Sequence, residues 1–309
     1  MNKKLLITGA SGLVGNAFRR LEGDYPEFEF IFATRHRWNL LHQDEVEKMF
    51  LNTKPDYVIH TAGRVGGIGR NLNSPAQQFT DNTLMNTLVI DEAHKAGIKK
   101  LIAFSSVCAF PANASIITEN NLHDGEPFPA HRSYAYSKRM VDIQLDAYKK
   151  QYGMEGCSVV PGNIYGPSDN FNLEDGHIIP SLIHKGLIAK NTGTRLPIWG
   201  RGTALREFIY VEDLARVCLE LLLMDKPLPP RLLVSGEEKS IFSIAGMIMR
   251  LYGLPGIEFD TSKPEGQLRR QTDKTLFNSI FPDFVYTPIE KGLEETVEWF
   301  ENAYPNVRQ

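Results

Sequence analysis

Short runs that are almost wholly apolar alternate along the chain with longer stretches whose apolar residues recur every three or four positions. Lys4 to Thr8, Phe28 to Ala33, Asp56 to Ala62 and Lys100 to Ser106 are of the first kind and read as buried strands. Gln43 to Asn52, Pro75 to Lys95 and the run from Tyr134 to about Tyr152 are of the second kind and read as helices. Strands joined by helical crossovers predict an α/β fold, a doubly wound parallel sheet of the Rossmann type. Ligands of such sheets bind beyond the carboxyl ends of the strands, and Gly9, Ala62 and Ser106 each stand at one such end. From about Tyr165 the elements shorten, which predicts a second, smaller domain. Glu207 to Met224 reads as a strand and helix returning to the main sheet, and a last helix, Glu290 to Asn302, carries the apolar stripe Leu293, Val297, Trp299 and Phe300.

Composition narrows the function classes. The chain has 309 residues, 42% hydrophobic and 23% charged, with a formal charge of -3, so nothing in its balance favours nucleic acid or an anionic membrane as partner. Cys108, Cys157 and Cys218 are too scattered for a metal site or a disulfide framework, which points to a reducing cytoplasm. No run approaches the roughly 18 apolar residues of a spanning helix.

The candidate chemistry starts at Gly9-Ala10-Ser11-Gly12-Leu13-Val14-Gly15, between the first strand and its helix. Glycines three apart allow a tight turn, a close approach to a diphosphate and tight packing of helix on strand, with the helix N-terminus facing the phosphates. Gly9, Ser11, Gly12, Leu13, Val14, Gly15 and Ala62 are therefore the expected dinucleotide contacts. The second strand ends not in Asp or Glu, as a site for NAD would, but in Thr34-Arg35-His36-Arg37. Arg35 and Arg37 suit a 2′-phosphate and predict NADP(H). Tyr134 and Lys138 lie four apart on one helix, so phenol and ammonium can share a site. A cation there is expected to draw the phenol down from its usual value of roughly 10 toward a proton-donating range.

Gly9-x-x-Gly12-x-x-Gly15, Ser106 at a strand end and Tyr134-x-x-x-Lys138 together resemble the extended short-chain dehydrogenase/reductases. The resemblance implies that Ser106 hydrogen-bonds the substrate oxygen, Tyr134 donates the proton, and Lys138 tunes the tyrosine and binds the nicotinamide ribose. It further implies residues 1–164 as an NADP-binding domain, with 206–230 returning to it, and 165–309 as a nucleotide-sugar-binding domain. Ser106-Val107-Cys108-Ala109-Phe110-Pro111, Gly162 to Phe171, Asp175-Gly176-His177, Trp199-Gly200 with Arg206-Glu207-Phe208, and Ser262 to Gly266 are similar to the branch that converts GDP-4-keto-6-deoxy-D-mannose to GDP-L-fucose. Members of that branch epimerise C3 and C5 and then reduce C4.

Thiol and imidazole have reference values of roughly 8.5 and 6.5, close to working pH, so both suit proton exchange beside a ketone. The resemblance makes Cys108 the base and His177 the acid, and assigns nucleotide-sugar binding to Asn163, Lys185, Trp199, Arg206 and Lys263. It also implies a homodimer packed through the Tyr134 helix and its neighbour near 82–95. Gly162 and Ser168 depart from the branch's usual threonine and histidine. They keep open an alternative substrate, a related GDP-4-keto sugar such as a heptose, reduced at C4 without epimerisation. A 4,6-dehydratase would want acids beside Ser106, and Val107-Cys108 supplies none.

Overall fold

In the computed structural model of the chain the described residues are 2–174, 176–262 and 268–308. The first half lays down β1 (Lys3–Thr8), α1 (Leu13–Leu21), β2 (Phe28–Ala33), α2 (Gln43–Thr53), β3 (Tyr57–His60), α3 (Ile68–Asn73), α4 (Pro75–Lys95), β4 (Lys100–Phe104), β5 (Ile116–Ile117), α5 (Arg132–Tyr152) and β6 (Gly156–Pro161). The second half adds β7 (Asn163–Tyr165), α6 (Ile178–Thr192), β8 (Leu196–Trp199), β9 (Leu205–Tyr210), α7 (Val211–Leu223) and β10 (Arg231–Val234). After these come β11 (Glu237–Ser240), α8 (Ile241–Leu251), β12 (Ile257–Asp260), β13 (Gln271–Thr272), α9 (Thr275–Ile280) and α10 (Ile289–Ala303).

The main sheet has six strands in the order β10-β6-β4-β3-β1-β2. All its pairings are parallel. Its strands are apolar on both sides because both faces are covered. Leu5, Ile7, Ile59 and Ile102 pack on one face with Phe18, Leu214 and Leu219 of α1 and α7. Leu6, Val58, Leu101 and Ala103, one residue out of step, pack on the other face with Val89, Ile90, Val141 and Leu145 of α4 and α5. The side-chain alternation of a strand thus supplies two cores from one run. Among the described residues no helix is long and apolar enough to cross a membrane.

A separate three-stranded sheet, β11-β9-β7, sits with α6, α8 and α10 around Phe171, Ile183, Phe208, Ile248, Leu293 and Phe300. Leu293, Val297 and Phe300 of the last helix are buried there, and Trp299 stacks on Phe171 at 5.9 Å. The expected return to the main sheet needs correction. β9 pairs with β7 and β11, whereas α7 packs on the main layer and β10 is the strand that rejoins it. The physical cause is that Asn163–Tyr165 leaves β6 and supplies β9 with a nearer partner.

Candidate active site

The carboxyl ends of β1 to β4 open on a cavity of about 970 Å³ whose other wall comes from α6, β8, β9 and the segment after α10. Its volume is at the upper end for small-molecule sites, with room for more than one modest ligand. Gly9 has φ +68°, and a β-carbon on it would lie 2.6 Å from the Ala62 backbone nitrogen. Only glycine lets the ends of β1 and β3 approach so closely. Gly12 is the N-cap of α1 and offers no side chain, so the first N–H groups of that helix are left to serve a ligand.

Gly9, Ser11, Gly12, Leu13, Val14, Arg35 and Ala62 all line the cavity. Gly15 and Arg37 do not. Gly15 is a packing residue whose β-carbon would stand 2.5 Å from the Ala10 Cα, and the exposed Arg37 guanidinium lies 4.2 Å from the Trp38 ring.

Ser106 follows β4 and caps a single turn, Val107–Ala109, its Oγ accepting the Cys108 N–H at 3.2 Å. Tyr134 and Lys138 stand in the first two turns of α5 and reach the same cavity. Lys138 Nζ donates to the Phe104 carbonyl at 2.9 Å and lies 6.0 Å from the centre of the Tyr134 ring. Burial lowers the Lys138 ammonium to about 8.

The expected lowering of the phenol does not occur. Burial, reinforced by Cys108, pushes Tyr134 well above its ordinary value, and only the Ser106 hydroxyl opposes it. The lysine is a turn away and its charge is directed at a carbonyl, so removal of water from the phenol dominates. Beneath Lys138, His60 is held by the Thr8 hydroxyl at 2.7 Å and the Asn86 amide oxygen at 3.0 Å. Burial, followed by the Lys138 charge, lowers it to about 4, so it is neutral at working pH.

The other wall carries His177, Asp169, Lys185, Trp199, Arg206 and Arg270. His177 caps α6 and is open to the cavity, yet the chain crowds it enough that burial, then Arg308 and His131, lowers its value. Trp199 is half exposed, with Lys185 Nζ 4.9 Å from its ring, which places it on the cavity wall and not in the core. Asn163 lines the cavity, but its amide nitrogen donates to the Glu207 carbonyl at 2.9 Å. Burial, then the Arg270 charge, lowers Arg206. Lys263 lies outside the described residues. At the two departures from the branch pattern, a β-carbon on Gly162 would sit 3.1 Å from the Glu207 carbonyl oxygen, and Ser168 holds φ +72°.

The family described as NAD dependent epimerase/dehydratase matches residues 5–234. The chain belongs to that family. Among the family's curated members, the GDP-L-fucose synthase of Dictyostelium discoideum is 36% identical, aligned over 99% of this chain and 98% of its own. The NADP-bound crystal structure of a GDP-L-fucose synthetase from Naegleria fowleri superposes with TM-score 0.93 at 33% identity, covering 99% of this chain and 95% of that one. A GDP-mannoheptose C4 reductase from Campylobacter jejuni, also with NADP bound, gives TM-score 0.85 at 26% identity over 97% and 98%.

Within this epimerase/dehydratase frame, several cavity residues carry no motif of their own. Arg270 donates to the Val107 carbonyl at 2.9 Å and so braces the Cys108 turn from the far side. His131 meets the Asn71 amide nitrogen at 2.9 Å, and Asn71 also donates to the Gly67 carbonyl at 3.1 Å, which fixes the loop after β3. Asn82 holds the same loop by a pair of bonds with the Arg64 backbone, at 2.8 and 3.0 Å. Gln78, Asn82 and Asn86 lie four apart on α4 and are all buried. A polar stripe on the inward face of a helix was the signal available for them.

Proposed function

We propose that this protein is an NADPH-dependent epimerase/reductase that converts GDP-4-keto-6-deoxy-D-mannose to GDP-L-fucose. What carries the reading is that Cys108 and His177 line the same cavity as Ser106, Tyr134 and Lys138. The glycine turn, the bare N-terminus of α1 and Arg35 fit a dinucleotide with a 2′-phosphate. When bound, NADPH supplies the hydride.

The chain's own residues do the rest. Ser106 and Tyr134 offer two O–H donors to a sugar carbonyl oxygen, which stabilises the enolate of epimerisation and the alkoxide of reduction alike. Cys108 takes the proton from C3 or C5 as thiolate, and His177 returns one from the opposite face. Its lowered value makes the imidazolium a ready donor once His177 has taken a proton from solvent, which the negative charge of the bound substrate favours. Tyr134, kept protonated by burial, then delivers its proton to the C4 oxygen. Lys138 keeps a positive charge beside that transfer at neutral pH.

Residues 1–164 would carry the cofactor and 165–309 the nucleotide sugar, with Asn163, Lys185, Trp199, Arg206 and Lys263 at the sugar-nucleotide end. Phe79 and Leu84 of α4 and Met140 and Ile143 of α5 are exposed apolar residues, which supports a homodimer through those helices. The cysteine usage supports a cytoplasmic enzyme. The test is NADPH oxidation with GDP-4-keto-6-deoxy-D-mannose, followed by the configuration of the product. L-fucose is expected; a 6-deoxy-talose or rhamnose product would reduce the activity to C4 reduction alone and favour the heptose-reductase reading.

A further inference from the structure

Arg308 has no part in the chemistry above, yet it stands where the two walls meet. The segment after α10 is fixed in place: the Arg308 carbonyl accepts the Phe171 N–H at 2.9 Å, and Val307 packs on the core of α6, α8 and α10. From that anchor the side chain reaches into the cavity, its Nη1 3.8 Å from the point where a β-carbon on Gly12 would stand. A guanidinium from the smaller layer is thus poised over the N-terminal end of α1.

Its charge is felt on the other side by His177 and Asp169. Asp169 is 3% exposed, lines the cavity and has an Oδ2 with no hydrogen-bond partner among the described residues. A planar cation beside free helix N–H groups matches a diphosphate, which can take a forked pair of hydrogen bonds from it.

We infer that Arg308 is a cofactor-binding residue that closes over the diphosphate of the dinucleotide and ties the segment after α10 to the glycine turn. The glycine turn and the arginines read for the cofactor lie in the first 37 residues, and Ala62 and Lys138 in the first half of the chain, so this contact comes from the opposite end of the described chain. The inference rests on the NADPH reading above. The test measures binding without turnover, titrating the purified protein with NADPH by fluorescence and with 2′-AMP, which has the adenosine and 2′-phosphate but no diphosphate.

Arg308→Ala is expected to weaken NADPH by about 10- to 100-fold, the worth of one charged hydrogen bond, and to leave 2′-AMP unchanged. Arg308→Lys should keep most of the affinity. Equal NADPH affinity in Arg308→Ala and the unaltered protein overturns the inference, as does a parallel loss of 2′-AMP, which would mean a distorted cleft. An unaltered protein that binds 2′-AMP and NADPH not at all would sink the cofactor reading and this contact with it.

Discussion

The two walls of the cavity are built differently. Ser106 follows the buried strand β4, Tyr134 and Lys138 stand on the buried face of the long helix α5, and Lys138 is fixed by a hydrogen bond to the β4 backbone. His177 is the N-cap of α6, Asp169 lies in the loop before it, Arg206 is on the short β9 and Arg308 in the trailing segment, and His177, Asp169 and Arg206 each feel a neighbouring charge as well as burial. On the proposed mechanism the sheet wall would serve every step that places charge on a sugar oxygen and would carry the base Cys108, whereas the opposite wall would supply the acid His177, the fit of the nucleotide sugar and the Arg308 contact to the cofactor.

The largest effect tests that division. Tyr134→Phe removes the donor both reactions use, so C4 reduction should fall by about 10²- to 10⁴-fold and C3/C5 exchange with deuterated water should fall as well. His177→Asn should cut exchange by a similar factor while reduction continues, turning the product toward an unepimerised 6-deoxy sugar. Exchange at the original rate in His177→Asn paired with Cys108→Ser, or equal loss of reduction, would show that the walls do not divide the work.

How much of this could be read in advance follows the same line. The order of strands and helices was legible because a buried parallel strand is a short apolar run and its crossover helix has a 3.6-residue period. The glycine turn and the Tyr134–Lys138 spacing were legible because each is local in sequence. Arg270, His131 and Arg308 were not, since each reaches the cavity through tertiary packing and has no local pattern. The Tyr134 shift was read in the wrong direction for a related reason: spacing reports a nearby cation, but only burial reports the missing water. Cys108 and His177 came from resemblance and not from any periodicity.

Arg35 sharpens the cofactor side of the sheet wall. Its side chain lines the cavity, whereas Arg37 is not among the lining residues and holds its guanidinium over the Trp38 ring. Arg35→Ala should lower the preference for NADPH over NADH, as a ratio of kcat/KM values, by about 10-fold or more. Arg37→Ala should change it much less. Equal effects would mean that both arginines reach the 2′-phosphate when the dinucleotide is present.

The smallest effect is on stability, and it has opposite sign on the two walls. His60, under the sheet wall, has its value lowered from 6.5 to about 4, so the unfolded chain binds the extra proton between those limits. Stability therefore rises with pH from about 4 to 6.5 and is lost on the way down. Asp169, on the opposite wall, is raised by burial from 3.8 to about 7, so here the folded chain holds the extra proton, and stability falls as pH rises through that window. Each pH unit within a window is worth up to about 1.4 kcal/mol. Urea denaturation from pH 4 to 7.5 should thus show Asp169→Asn gaining on the unaltered protein as pH rises, and His60→Asn losing the acid-side slope whatever its overall stability. An Asp169→Asn curve parallel to the original would mean that the Arg308 charge compensates the buried carboxylate fully, and that the two walls meet at a formed ion pair even before any ligand binds.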